Sequence, residues 1–181
     1  MRPVIPTFKR VILMAILALG LFWIVLIYQL SANWALYPQY SYGWAVPFLS
    51  AYFFWKRWDK CPPPGIPVTG IWPRCLMILL AAGFFAARFV QEANLIWRLP
   101  LWLMGFEVAA MTLLAIFLMG GRPWVKHFSF PVLFFLIAIP WLRPIEEPFI
   151  LALTQFNTRV TVEIFSLFGL PVFQQGNVIE T

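Results

Sequence analysis

The sequence predicts an all-α polytopic integral membrane protein, with about five transmembrane helices plus a C-terminal amphipathic or sixth membrane helix. Three observations carry this expectation. The 181 residues are 62% hydrophobic and 11% charged, where a soluble domain runs near half apolar and a quarter charged. A fold of this size cannot hide so much apolar surface from water. The apolar residues also gather into runs suited to the roughly 30 Å of a hydrocarbon core. Soluble globular, disordered, collagen-like and coiled-coil classes are thereby excluded, and residues 1–181 read as a single transmembrane domain.

The elements follow in chain order. Residues 11–30 hold no charge and reach about 30 Å at 1.5 Å per residue. Lys9 and Arg10 precede them, and Ser31-Ala32-Asn33 lacks the small-x-small cleavage pattern. The run therefore reads as a retained anchor rather than a signal peptide. Residues 43–55 form a short second span containing Pro47, which needs tilt, flanking aromatics or bilayer thinning to cross. Cys61-Pro62-Pro63-Pro64-Gly65-Ile66-Pro67 is a stiff polyproline-type spacer. Residues 71–90 are the third span and 99–119 the fourth, with Glu107 inside it. Residues 128–142 are a short fifth span carrying Pro131 and Pro140, tolerable where neighbouring helices satisfy the freed carbonyls. Pro148 closes a turn, and 149–168 reads as a helix. Its stripe of Leu153, Phe156, Val160, Ile164 and Leu167 is amphipathic. It is too polar for a simple lipid-facing span, so it lies in the interface or lines a wet cavity. Gly169 and Pro171 stop it. Gln174 onward reads as a turn leading into extended chain, and the chain is expected to be cut short at Thr181.

Charge sets the orientation. Of thirteen cations, nine fall in the N-terminal segment, the second-to-third connection and the fourth-to-fifth connection, beside one acid. The alternate loops hold two cations and three acids. The positive-inside rule then places the N-terminus in the cytoplasm. The same rule explains the net charge of +6 without nucleic acid, since no basic run exceeds two residues. Trp34, Tyr37, Tyr40, Tyr42, Trp44, Trp97, Trp102 and Trp141 cluster at the outer span ends. Trp55, Trp58, Trp72 and Trp124 cluster at the inner ends, as in an aromatic belt.

Candidate chemistry is sparse. Two cysteines, Cys61 and Cys75, and one histidine, His127, carry no metal-ligand spacing, so no metal or cofactor is expected. Glu107 lies about 12 Å inside its span. An acid at that depth either lines a polar substrate cavity or forms a structural pair, with Arg88 the candidate partner. Asn157, Arg159 and Glu163 on the amphipathic helix either line an outer cleft or form a solvated face.

The stretch from Phe130-Pro131-Val132-Leu133 through Ile139-Pro140-Trp141-Leu142-Arg143-Pro144-Ile145-Glu146-Glu147-Pro148 resembles the exosortase/archaeosortase family. So do Thr161-Val162-Glu163-Ile164-Phe165, Phe168-Gly169-Leu170-Pro171 and Gln175-Gly176-Asn177-Val178-Ile179-Glu180. Tyr40-Ser41-Tyr42-Gly43, Val46-Pro47 and Trp55 look like the family's first outer loop and second span. The resemblance implies a membrane cysteine peptidase or transpeptidase, a hydrolase. Its partners would be membrane lipid and exported proteins with C-terminal sorting signals of PEP-CTERM type, with no oligomeric state implied. The family's nucleophile sits in an Ala-Cys-Ser-Gly motif expected after Thr181, so no catalytic residue is assigned here and these residues alone are expected to be inert. Tyr42 and Gln175 stand where family members carry histidine before glycine. The alternative reading is a non-enzymatic membrane protein, either a small transporter or an assembly scaffold. A transporter should show an internal repeat, and none is evident.

Overall fold

The computed structural model describes residues 5–65, 70–94, 97–168, 173–175 and 178–180. Helix α1, Ile5–Leu36, has two stripes at helical spacing, both apolar. Leu26, Leu30 and Trp34 are buried, whereas Leu17, Leu21, Ile24 and Tyr28 are exposed. Water would penalise the second stripe; lipid does not. The helix stops before Pro38, as Tyr37 goes extended (φ −115°, ψ 109°), the conformation a following proline ring favours.

Proline also starts the helices. After a 3-10 turn over Pro38–Trp44 come α2 (Val46–Trp58), α3 (Trp72–Ala93), α4 (Leu99–Phe134) and α5 (Arg143–Leu167), each with proline at its first or second position. A proline there lacks only an N–H that no intrahelical carbonyl would accept. Pro47, expected inside the second span, therefore opens α2.

The expected fourth and fifth spans meet inside α4. Gly121 alone leaves helical geometry (φ 68°, ψ −162°), and the chain doubles back there. Residues 99–120 and 122–134 pack as antiparallel arms. Trp102 Nε1 donates to Pro140 O at 2.9 Å, and Ala109, Ile116, Phe128 and Val132 form a shared apolar cluster. Residues 122–127, expected as a loop, are helical.

Three segments among the described residues are long and apolar enough to cross a membrane: Ile16–Leu36, Trp72–Ala93 and Leu99–Ala138. The third would extend about 60 Å if straight; folded at Gly121, it suits two passes. The thirteen residues of α2 reach only about 20 Å, so length does not make it a full span. The chain is a multi-pass, all-α membrane protein.

Helix contacts define two ends of this first unit, Met1–Pro140. At one, Trp34 Nε1 donates to Ala138 O at 2.8 Å and Tyr42 Oη to Ile137 O at 3.3 Å. These carbonyls are open because α4 gives way to a 3-10 turn, Phe135–Ala138, and then to extended Ile139. Trp34 is 2% and Tyr40 4% exposed, so these two belt residues are core, while Tyr42, Trp44 and Trp97 remain exposed. Trp34→Phe leaves the Ala138 carbonyl unpaired and is expected to cost about 1–2 kcal/mol, read as a lowered unfolding midpoint in mild detergent. An unchanged midpoint would mean the bond contributes nothing.

At the other end, Pro131 has no N–H for His127 O, four residues back. Arg57 Nη1 donates to that carbonyl, and His127 Nε2 bonds Arg57 O at 2.8 Å. Trp124 Nε1 donates to Pro62 O, fixing the start of the proline-rich connector.

The second unit is Trp141–Thr181. Its α5 begins at Arg143, with Pro148 inside it rather than ending a turn. Thr154, Thr158 and Thr161 hydroxyls donate to carbonyls four residues back, so part of the polar face satisfies itself. Leu153, Phe156, Ile164 and Leu167 of the expected stripe are exposed. Phe173–Gln175 and Val178–Glu180 pair as a short antiparallel hairpin. The turn expected at Gly176-Asn177 lies outside the described residues.

Candidate functional site

A polar cluster lies at the Trp34 end of the first unit. Arg98 immediately precedes α4, and its Nη1 donates to Tyr40 Oη at 2.9 Å. The guanidinium carbon sits 5.3 Å from the Tyr40 ring centroid and 5.9 Å from that of Tyr37. Aromatic faces attract cations at this range, so Arg98 is anchored on one flank by the rings of Tyr37 and Tyr40. Gln91, buried in the last turn of α3, is a polar side chain in the same region of the chain. Sequence reading placed Arg98 among loop charges and Tyr40 in the belt. The signal for their union was a lone arginine at a helix start in a cation-poor stretch with clustered tyrosines, but the partners are 58 positions apart.

Glu107 lies on the first arm of α4, about 14 Å along the helix from Arg98. α3 and α4 form the largest helix pair of the fold, and the carboxyl sits within it. A Cβ on Gly83 of α3 would overlap Glu107 Oε1, so glycine is what lets the carboxyl lie against α3. Oε2 is buried with no hydrogen-bond partner among the described residues.

Arg88 does not reach this carboxyl. It pairs with Glu92 on its own helix, Nε to Oε1 at 3.0 Å, with both side chains partly exposed. Arg88 is five residues beyond Gly83, hence about 140° round the helix, and faces away from Glu107. Glu92 is four residues on, on the same face. The candidate partnership with Glu107 is therefore replaced by a surface pair.

Asn157, Arg159 and Glu163 are exposed on α5, in the second unit. Arg159 and Glu163 share the four-residue spacing of Arg88 and Glu92, yet they form no ion pair among the described residues.

Both cysteines are free and lie at the His127 end. Cys61 follows α2, its N–H bonding Trp58 O at 3.1 Å. Cys75 is exposed in the first turn of α3, beyond Trp72, which contacts Phe117 of α4. Neither approaches Arg98 and Tyr40.

Compared with known proteins, the chain matches the profile of the transmembrane exosortases over residues 33–181. No curated protein and no solved structure matches it. The profile enters at Asn33, one residue before Trp34, and takes in the Arg98–Tyr40 contact, the doubled-back α4 with Glu107, and all of α5. The chain belongs to the transmembrane exosortase family.

Proposed function

We propose that the chain serves a cysteine-type membrane peptidase or transpeptidase activity that processes exported proteins bearing C-terminal sorting signals of PEP-CTERM type. The observation that carries this reading is the family match, which takes in residues 33–181 and so parts of both units. In this reading the protein resides in a bacterial inner membrane, with its N-terminus and the His127 end in the cytoplasm. The charge pattern supports that orientation: Arg57, Lys60, Arg74, Arg122 and Lys126 all belong to the His127 end. Glu107 supplies a polar group at depth in the first unit, and Asn157, Arg159 and Glu163 present a polar face of the second to the sorting signal. Arg88 is structural.

Attack on a peptide carbonyl by cysteine needs a thiolate on the substrate's side, near a cationic or basic group. The only two cysteines of these residues are Cys61 and Cys75, at the opposite end from Arg98. The 181-residue chain, co-expressed with an exported reporter ending in a sorting signal, is therefore expected to crosslink to the reporter without cleaving it. A membrane-impermeant maleimide should leave Cys75 unlabelled in intact cells and label it after permeabilisation. Cleavage that survives C61S/C75S overturns the cysteine mechanism. Labelling in intact cells overturns the orientation, and a reporter that never crosslinks overturns the substrate class.

A further inference from the structure

The geometry points to a binding site for an anionic phospholipid between α3 and α4, at the His127 end. A groove of about 570 Å³ runs there, within the size range of ligand sites. Leu76 and Leu80 of α3 line one wall, and Leu113 and Phe117 of the first arm of α4 line the other. Each pair is spaced by four residues, so each wall is one face of one helix. From Trp72 to Leu80 the groove follows α3 for about 12 Å, enough for a good part of an acyl chain. Ala110 and Leu114 complete the wall of the first arm, and the second arm of α4 adds Arg122, Val125 and Lys126.

The placement of these two cations follows from the turn. Because Gly121 reverses the chain in a single residue, helix resumes at once. Arg122 and Lys126 then fall four apart on one face, directly over the apolar groove. Both are exposed, and neither forms an ion pair among the described residues. The acid of this end is Asp59, which caps α2. Apolar walls capped by two unpaired cations match a lipid with a hydrocarbon tail and a phosphate head. Basic pockets between membrane helices take anionic headgroups for this reason. A free phosphate would use the cations and leave the groove empty; a zwitterionic lipid would fill the groove but bring its own positive charge to the cations. The complementary ligand is the anionic phospholipid, with its phosphate between Arg122 and Lys126.

The test titrates the full chain, in mild non-ionic detergent, with phosphatidylglycerol or phosphatidylcholine and reads bound lipid by native mass spectrometry. Saturable phosphatidylglycerol binding is expected, about ten- to thirtyfold tighter than phosphatidylcholine, from about a decade or less per cation. R122Q/K126Q should abolish the preference. K56Q/K60Q, which removes equal charge from the same end outside the groove, should keep it. L113W, which fills the groove without changing charge, should weaken phosphatidylglycerol binding. Equal loss in both charge variants would reduce the effect to bulk attraction and overturn the site. Displacement by millimolar inorganic phosphate would show that the groove holds no tail and overturn the lipid. Should R122Q/K126Q fail to fold, the wild-type chain still decides: absence of preference, or displacement by phosphate, refutes the proposal.

Discussion

Replacing Gly121 with valine is expected to destabilise the protein by about 3 kcal/mol, the upper part of the range for a residue forced into a sparsely populated backbone region. At φ 68° and ψ −162° an L side chain meets its own backbone, and a β-branched one meets it with two heavy atoms. The strain has little room to spread. Gly120, the preceding residue, is already pressed against the Trp124 indole, and that indole is held by Pro62 O at 2.9 Å. Gly65 N–H also bonds Gly120 O at 2.9 Å. The reversal of α4 and the seating of the proline-rich connector are thus one local structure, and valine disturbs both. The check is an unfolding titration in mild detergent, with Gly20→Ala as the control. Gly20 sits in α1 with open space around it, so alanine there should be neutral or gain up to about 1 kcal/mol. A Gly121→Val chain unfolding with the wild type would mean that the arms of α4 do not turn through a left-handed glycine.

The same turn shows what was legible in the sequence. The apolar runs announced α1, α3 and both arms of α4, because long stretches with so few charges have few other destinations than lipid. The gap between the fourth and fifth runs announced a connection, but not that one residue, Gly121, would suffice for the reversal. The helical state of residues 122–127 depends on tertiary contacts: Trp124 with Pro62, His127 with Arg57. Pro47 is expected inside its span, whereas it opens α2, as Pro73, Pro100 and Pro144 open α3, α4 and α5. A local signal was present there, since proline suits the first turn of a helix, and it also explains why α5 begins at Arg143. The site was less legible than the fold. Arg88 with Glu92 needed only four-residue spacing on one helix. Arg98 with Tyr40 and Glu107 with Gly83 join separate elements, and no pattern along the chain reports such a meeting. Trp34 and Tyr40 looked like interface anchors because a buried indole bonding a helix-end carbonyl has the same local sequence as an indole at the headgroups.

Glu107→Leu is expected to stabilise the protein by about 2–3 kcal/mol, the reverse of the usual effect of a substitution inside a packed helix pair. The reasoning starts from cost. An acidic side chain near the centre of a membrane helix is unfavourable by about that amount on insertion scales, and only a partner offsets it. Here Arg88 is committed to Glu92, Oε2 of Glu107 is buried without a hydrogen bond among the described residues, and the groups nearest its carboxyl include the bare backbone of Gly83. Leucine has similar length and brings no polar atom, so it removes the penalty while filling the same space; Glu107→Gln, which keeps a polar group to desolvate, should gain less. A residue that weakens the fold it belongs to needs a reason outside the fold. If that reason is the substrate, the Leu variant should be more stable in detergent and yet crosslink less to the exported reporter. A Leu variant that is less stable would show that the carboxyl makes a stabilising contact, and the structural role would stand. A variant that is more stable and crosslinks undiminished would remove Glu107 from the substrate site.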